Sequence, residues 1–272
     1  MSRLRAGIDT WKLIHELGHD PTGKVFLEVG TGRAPNVPVA YWLMGARRTI
    51  TMDMNPYLKI ELIRDSLDYI SDNYEEILEL FGALLNKKRF DGLLHFYEMN
   101  PDFLIDSFLE LCQIEYIAPG NAAKTGLREN SIDFHTSFTV LEHIPPEVLE
   151  GILEEGNRII NDDGLFVHRI DYSDHFSHSD KTISAINFLQ YSDSEWERYA
   201  GNRYMYMNRL RHDDFLAILE SAEHRILMTR TDVDERSLEL LRSGGLQLDE
   251  QYKNKSEDVL SIVGSWVVSR KS

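Results

Sequence analysis

Short apolar runs and helical periodicity alternate along the first half of the chain. Lys24 to Val29 ends in VFLEV, apolar apart from Glu28, and a GTG turn follows at once. A brief apolar run stopped by glycines predicts a buried strand. Before it, residues 8–18 (IDTWKLIHELG) read as a short helix closed by Gly18. After it, Val37 to Gly45 reads as a helix that begins beyond Pro35 and ends on glycine. Arg48 to Asp53 (RTITMD) is a second strand. Strand, glycine turn, helix and strand in that order describe one right-handed crossover of a parallel sheet.

Leu58, Leu62, Leu67, Ile70, Tyr74, Ile77, Leu78 and Phe81 then recur at helical spacing, and a further helix, DFLIDSFLELC, follows Pro101. They separate the second strand from the third by about sixty residues, longer than a plain αβ unit. The segment 57–113 is therefore expected to be an inserted helical layer. Ile114 to Ala118 and Ile132 to Val140 are the third and fourth strands, and Pro145 and Pro146 open a helix to about Ile160. A turn at NDDG leads into a fifth strand, LFVHRID. Residues 172–211 lack clear periodicity. Asp213 is expected to cap the helix DDFLAILESA. Strand RILMTR, a short helix near SLELL, a GG turn and a last strand, VLSIVGSWVVS, close the chain. No repeat breaks this order, so 1–272 reads as one α/β domain with insertions at 57–113 and 172–211.

Charge narrows the partners. The chain has 29 basic and 45 acidic residues, a formal −16. Affinity for a polyanion comes largely from Lys and Arg, so neither nucleic acid nor an anionic membrane is the expected partner. No apolar run approaches the ~20 residues that span a bilayer. The N-terminus has no apolar core or small-residue cleavage site of a signal peptide, and the cytoplasm is the expected compartment. Cys112 is the only cysteine, which excludes an intramolecular disulfide and a multi-cysteine metal site.

A glycine turn after a first strand serves two kinds of cofactor. Dinucleotide enzymes use G-x-G-x-x-G, with an acid about twenty residues on for the ribose. Gly30, Gly32 and Asp53 fit, but Pro35 stands at the third glycine position. Four ordered segments decide for the other. LEVGTG, TITMDMN, APGNAAKTGLRENSIDFHTSFTVLEHI and the C-terminal strand–helix–strand together resemble the class I S-adenosylmethionine-dependent methyltransferases over roughly residues 24–170 and 213–270. The resemblance implies a Rossmann-like, doubly wound seven-stranded sheet with an antiparallel C-terminal strand and helical insertions. It implies S-adenosyl-L-methionine as cofactor, S-adenosyl-L-homocysteine as product, and Glu28, Gly30, Thr31, Gly32, Asp53, Met54, Asn121, Ala122 and Ser137 as cofactor-binding residues. In the family the acid at Glu28 lies near the cofactor's methionine part, the acid at Asp53 bonds both ribose hydroxyls, and the next residue packs on adenine. Asn121 replaces the family's adenine-contacting acid.

Methyl transfer is an in-line displacement, so catalysis is mainly positioning. In open α/β sheets ligands bind beyond the carboxyl ends of the strands, which points to Thr139–His143 and to the segment after the fifth strand. An oxygen nucleophile gains from a base, and histidine titrates near neutral pH. HRIDYSDHFSHSD holds three of the ten histidines. His175 is the expected base, with His178 and Asp171 as neighbours and His143 as a second candidate. His168 alternates within the strand and reads as packed. His168, Asp171, His175 and His178 carry ligand types that suit zinc, but spacing in an irregular segment does not bring four groups to one centre, so no metal is expected.

Acceptor specificity is expected in the two insertions. Phe188, Tyr191, Trp196, Tyr199, Tyr204 and Tyr206 offer flat faces, and Arg198, Arg203, Arg209 and Arg211 could hold a phosphate or carboxylate. The alternative is a lid whose aromatics are core. The expected activity is O-methylation of a small molecule: a sugar, sugar nucleotide or phosphorylated glycan precursor, as in polysaccharide biosynthesis. An N- or C-methyltransferase of secondary metabolism, an NAD-dependent oxidoreductase and a non-catalytic cofactor-binding module are the competing readings.

Overall fold

The computed structural model describes residues 2–200 and 206–272. The chain runs α1 (Ser2–Glu16), β1 (Val25–Val29), α2 (Asn36–Leu43) and β2 (Arg48–Met52). Four helices follow: α3 (Ile60–Asp72), α4 (Tyr74–Phe81), α5 (Lys87–Met99) and α6 (Ile105–Leu111). Next come β3 (Ile114–Ile117), β4 (Ile132–Phe138), α7 (Pro146–Ile159), β5 (Ile160–Asp171), α8 (Asp193–Ala200) and α9 (His212–Ser221). The chain closes with β6 (His224–Val233), α10 (Glu235–Arg242), α11 (Glu257–Leu260) and β7 (Ile262–Lys271). The seven strands form one sheet in the order β3-β2-β1-β4-β5-β7-β6. β2 and β4 run parallel to β1, β3 runs parallel to β2, and β6 and β7 are antiparallel. The chain divides into two units, the first comprising Met1–Ser137 and Glu155–Val167, the second Phe138–Glu154 and His168–Ser272.

In the first unit, every residue of β1 is buried. Phe26 stacks on Trp11 and Tyr41, with ring centroids 5.8 and 4.3 Å away, and lies 4.9 Å from Phe134. Gly7 sets how closely α1 meets α2: a Cβ there would stand 2.6 Å from Ala40 Cβ. Asp133 ties strand starts together. Its carboxylate accepts from Val25 N at 2.8 Å and from Asn161 Nδ2 at 2.9 Å. The helical layer is present, with a break at Asn73 between α3 and α4. Its buried stripe is Ile63, Leu67, Ile70, Ile77 and Phe81, whereas Leu62 of the expected periodicity is exposed.

Several boundaries differ from expectation. α5 was not anticipated, because its apolar positions Phe90 and Leu93 are sparse among charged residues. The helix after Pro101 begins only at Ile105. NDDG is not a turn. It is the start of β5, where Asn161 is held by Asp133 and the absent side chain of Gly164 admits the Asp133 carbonyl. Asp213 is not the cap of α9; Arg211 stands at the cap position, and its N–H donates to Asp214 Oδ2 at 2.8 Å. The last strand starts at Ile262, because Ser256 accepts from Val259 N and folds EDVL into α11.

In the second unit, Ile186, Phe188, Leu189, Trp196, Leu241, Tyr252 and Leu260 form a buried cluster, with Phe176 and Tyr191 packed against it. Arg211 is 0% exposed and bridges three main-chain segments, donating to the carbonyls of Tyr172, Leu260 and Ile262. Arg209 is buried likewise, donating to the carbonyls of Phe188 and Tyr191 and pairing with Asp193. Among the described residues no helix is long and apolar enough to cross a membrane.

Candidate functional site

One group of candidate residues lies at the carboxyl ends of β1, β2 and β3, within the first unit. Gly30 and Gly32 have φ of +89° and +71°, a region that L side chains avoid. Gly30 N donates to the Met52 carbonyl at 2.8 Å, and Gly32 N to Asp53 Oδ2 at 3.0 Å. The turn is thereby fixed against the end of β2. A Cβ built on Gly32 meets nothing within 4 Å, so the turn faces open space.

Register explains the chemistry beneath the turn. Glu28 pairs with Thr51 across β1 and β2. Thr31 Oγ and Thr51 Oγ stand 2.6 Å apart, and the Thr51 hydroxyl donates to Glu28 Oε2 at 2.6 Å. Thr51 spends its one proton on the carboxylate, so Thr31 donates to Thr51. The Thr31 side chain thus anchors the turn from below. Glu28 is 3% exposed. Burial pushes its carboxyl up to about 7, against the opposing effects of the Thr51 hydroxyl and Arg3, with Asp53 adding to the rise.

That shift has a thermodynamic signature. A carboxyl raised in the folded state contributes stability that is complete below its unfolded pKa and lost as pH rises through the folded value. The stability difference between wild type and Glu28→Gln is therefore expected to change by about 3 kcal/mol between roughly pH 5 and pH 8.5, in favour of the variant at high pH. Chemical denaturation of both proteins at the two pH values measures it. A difference independent of pH would contradict the assignment.

Asp53 follows β2. Its Oδ1 also accepts from Asn55 N, at 3.3 Å, so each carboxylate oxygen spends one lone pair on the backbone and keeps capacity for a hydroxyl. Met54, beside it, is an apolar side chain 76% exposed. Asn121 and Ala122 lie in the loop after β3. That loop is tied back by Gly120 N donating to the Asp53 carbonyl at 2.8 Å, and Asn121 Oδ1 accepts from Ala123 N. Ser137 is buried near the end of β4, paired with Val29 in register.

These residues fit an adenosine whose ribose meets Asp53 and whose base meets Met54. They fit a dinucleotide poorly. A pyrophosphate needs N–H donors at the start of the following helix. In α2, Pro35 holds the cap and Pro38 the third position, and neither has an N–H.

A second group of candidate residues lies in the second unit. Thr139 has φ of +51°, strained for a β-branched residue. It leads into the 3-10 turn Leu141–His143. Asn208 clamps that turn: its N–H donates to the Glu142 carbonyl at 2.8 Å, and its amide to the carbonyls of Leu141 and Ile144 at 2.9 Å each. His143 Nδ1 lies 2.8 Å from the Tyr206 carbonyl, which fixes Nδ1 as the protonated nitrogen of the neutral ring.

His143, His175 and His178 lie side by side. The His143 and His175 rings are 5.0 Å apart, as are those of His175 and His178. Asp171 Oδ2 is 3.5 Å from His175 Nε2 and 4.0 Å from His178 Nε2. Ser173 donates its N–H and its hydroxyl to Asp171 Oδ1, at 2.8 and 2.6 Å, so its oxygen accepts from His178 Nε2 at 2.9 Å. Burial pushes the Asp171 carboxyl up, but the contacts from His175 and Ser173 outweigh it and hold it below its ordinary value.

His168 is not part of this group. Strand alternation turns it to the face that Ile170 shares, against Leu141, Leu149, Ile152 and Phe215. Sequence reasoning missed Glu142, which is 1% exposed and whose carboxylate converges with His143 and His175. The arginines expected to hold an anion divide. Arg209 and Arg211 are structural, Arg198 is exposed, and Arg203 and Tyr204 lie outside the described residues. Of the aromatics, Phe188 and Trp196 are core, whereas Tyr199 is exposed and Tyr191 and Tyr206 are half-buried.

No protein-family model matches the chain, and no curated protein matches its sequence. Solved structures do match. An S-adenosylmethionine-dependent methyltransferase from Methanosarcina mazei is 13% identical and aligns over 95% of this chain and 96% of its own, with a TM-score of 0.52. A geranyl diphosphate methyltransferase in complex with S-adenosylmethionine is 9% identical over 98% of this chain and 85% of its own, with a TM-score of 0.53. The magnesium protoporphyrin IX methyltransferase of Synechocystis, with bound S-adenosylhomocysteine, is 10% identical over 100% and 84%, with a TM-score of 0.50. At this identity the likeness is one of fold. The chain has the fold of the class I S-adenosylmethionine-dependent methyltransferases, with the seven strands and the antiparallel C-terminal strand that its motifs led one to expect. The acceptors named for these neighbours differ widely, so the fold does not choose among them.

Proposed function

We propose that this protein is an S-adenosylmethionine-dependent methyltransferase that methylates an oxygen of a small molecule. The observation that carries the proposal is the first-unit site. An open glycine turn stands over a buried acid, with a ribose-type carboxylate and an exposed methionine beside it, and α2 has too few N–H donors for a pyrophosphate. When bound, the cofactor supplies a methyl group on a positively charged sulfur. Asp53 would hold the ribose, Met54 and Asn121 the adenine, and Gly30 to Gly32, with Ala122 and Ser137, would line its path. Proton handling for the acceptor hydroxyl falls to His178 with Asp171, and His175, the base expected from the sequence, stands beside them with His143.

A hydroxylated ring such as a sugar is the acceptor class that fits best, with Tyr191, Tyr199 and Tyr206 as flat faces that keep some exposure. Arg209 and Arg211 are committed to carbonyls, so they give no support to a phosphorylated acceptor. The test is transfer of labelled methyl from S-adenosylmethionine to a panel that starts with sugars and sugar nucleotides. Turnover is expected for wild type. His178→Ala is expected to lower kcat about 100-fold while leaving S-adenosylhomocysteine affinity unchanged. Cofactor binding with no turnover on any acceptor would overturn the enzymatic reading in favour of a binding module.

A further inference from the structure

The geometry points to a metal site: we propose that Glu142, His143 and His175 bind one divalent transition-metal ion of the zinc class. One donor atom from each lies within 4.8 Å of the other two. Ligands around a tetrahedral zinc stand roughly 3.4 Å apart, so small side-chain rotations would close the three onto one ion. Two imidazoles and one carboxylate suit zinc, cobalt, manganese or iron. Magnesium prefers oxygen donors and fits poorly.

The surroundings hold these donors in place. Asn208 clamps the turn that carries Glu142 and His143. The Tyr206 carbonyl takes the His143 Nδ1 proton, which leaves Nε2 as the coordinating nitrogen, and metal-bound histidines generally hand their second nitrogen to such a partner. His175 Nε2 is enclosed, and its acid neighbour Asp171 is 3.5 Å away, at the outer limit of hydrogen bonding. Asp171 is thus placed to orient His175.

Three protein ligands leave a coordination position open. A hydroxyl oxygen bound there loses its proton more readily. The O–H bond breaks, the electron pair stays on oxygen, and the proton passes to His178. His178 Nε2 is engaged with Ser173, so Nδ1 is the accepting nitrogen. This catalytic role rests on the methyl-transfer reading; ion binding does not.

The test titrates cobalt(II) into the chelator-treated full chain, follows visible d–d absorption, and displaces it with zinc. One ion per chain is expected. Glu142→Gln and His175→Ala are each expected to weaken binding at least 100-fold. His95→Ala, at an exposed histidine of the first unit, is expected to bind as wild type does. Zinc should raise the melting temperature of wild type and His95→Ala but not of a folded Glu142→Gln protein, folding being checked by circular dichroism. Wild-type affinity in Glu142→Gln, equal loss in His95→Ala, or no one-to-one binding would each overturn the proposal. S-adenosylhomocysteine affinity, measured on the same samples, separates failure of the metal site from failure of the methyltransferase reading.

Discussion

Asp53→Ala is expected to weaken S-adenosylhomocysteine binding at least 100-fold. Two vicinal ribose hydroxyls donating to one carboxylate make two charge-assisted hydrogen bonds, each worth about 1.5–3 kcal/mol. Losing both costs roughly 3 kcal/mol or more, which is more than two decades in Kd. The same carboxylate accepts from Gly32 N and Asn55 N, so its removal also loosens the glycine turn. Both effects act in one direction. Asp53→Asn keeps acceptor capacity without the charge and should fall between wild type and alanine. Calorimetric titration of the three proteins gives the order. Equal affinity across the series would remove Asp53 from the cofactor site.

Arg211→Ala is expected to destabilise the protein by about 3–5 kcal/mol, because it takes a charged donor from three buried carbonyls. The Tyr172, Leu260 and Ile262 carbonyls all lose this donor at once. For a chain of this size the melting temperature should fall by on the order of 10 °C. Burial lowers the guanidinium pKa to about 10, so the group is still charged at neutral pH. Arg211→Lys should rescue little, since an ammonium lacks the planar fork that reaches separate carbonyls. A melting temperature that stays put while an acceptor KM rises would return Arg211 to the substrate-binding role that its position among aromatics first suggested.

The contrast between these two residues shows what a sequence displays. Asp53 is legible because its work is local: a strand ends, the chain turns, and the glycine it bonds, Gly32, belongs to a neighbouring strand end within one crossover. The five strands from β1 to β5 and the C-terminal hairpin are legible for the same reason, being apolar runs bounded by turn residues. Arg211 is illegible because its partners lie 39, 49 and 51 residues away. A buried arginine and a ligand-binding arginine share one local pattern.

The candidate residues of the second unit divide in the same way. Asp171, His175 and His178 meet through spacing within one segment, and alternation along β5 correctly withdraws His168. Glu142 was passed over because nothing local sets it apart from the His143 beside it; only Asn208 and Tyr206, more than sixty residues on, fix that turn beside His175. The elevated pKa of Glu28 comes from its burial, and Thr51, which register alone brings alongside, offsets part of the rise.

The most direct test of the central claim is calorimetric titration of the wild-type chain with S-adenosylhomocysteine and, separately, with NAD. One molecule of S-adenosylhomocysteine bound per chain, with no heat from NAD, is the expected result. Binding of NAD without S-adenosylhomocysteine would contradict the account, because the glycine turn and Asp53 would then serve a dinucleotide despite the prolines at the start of α2.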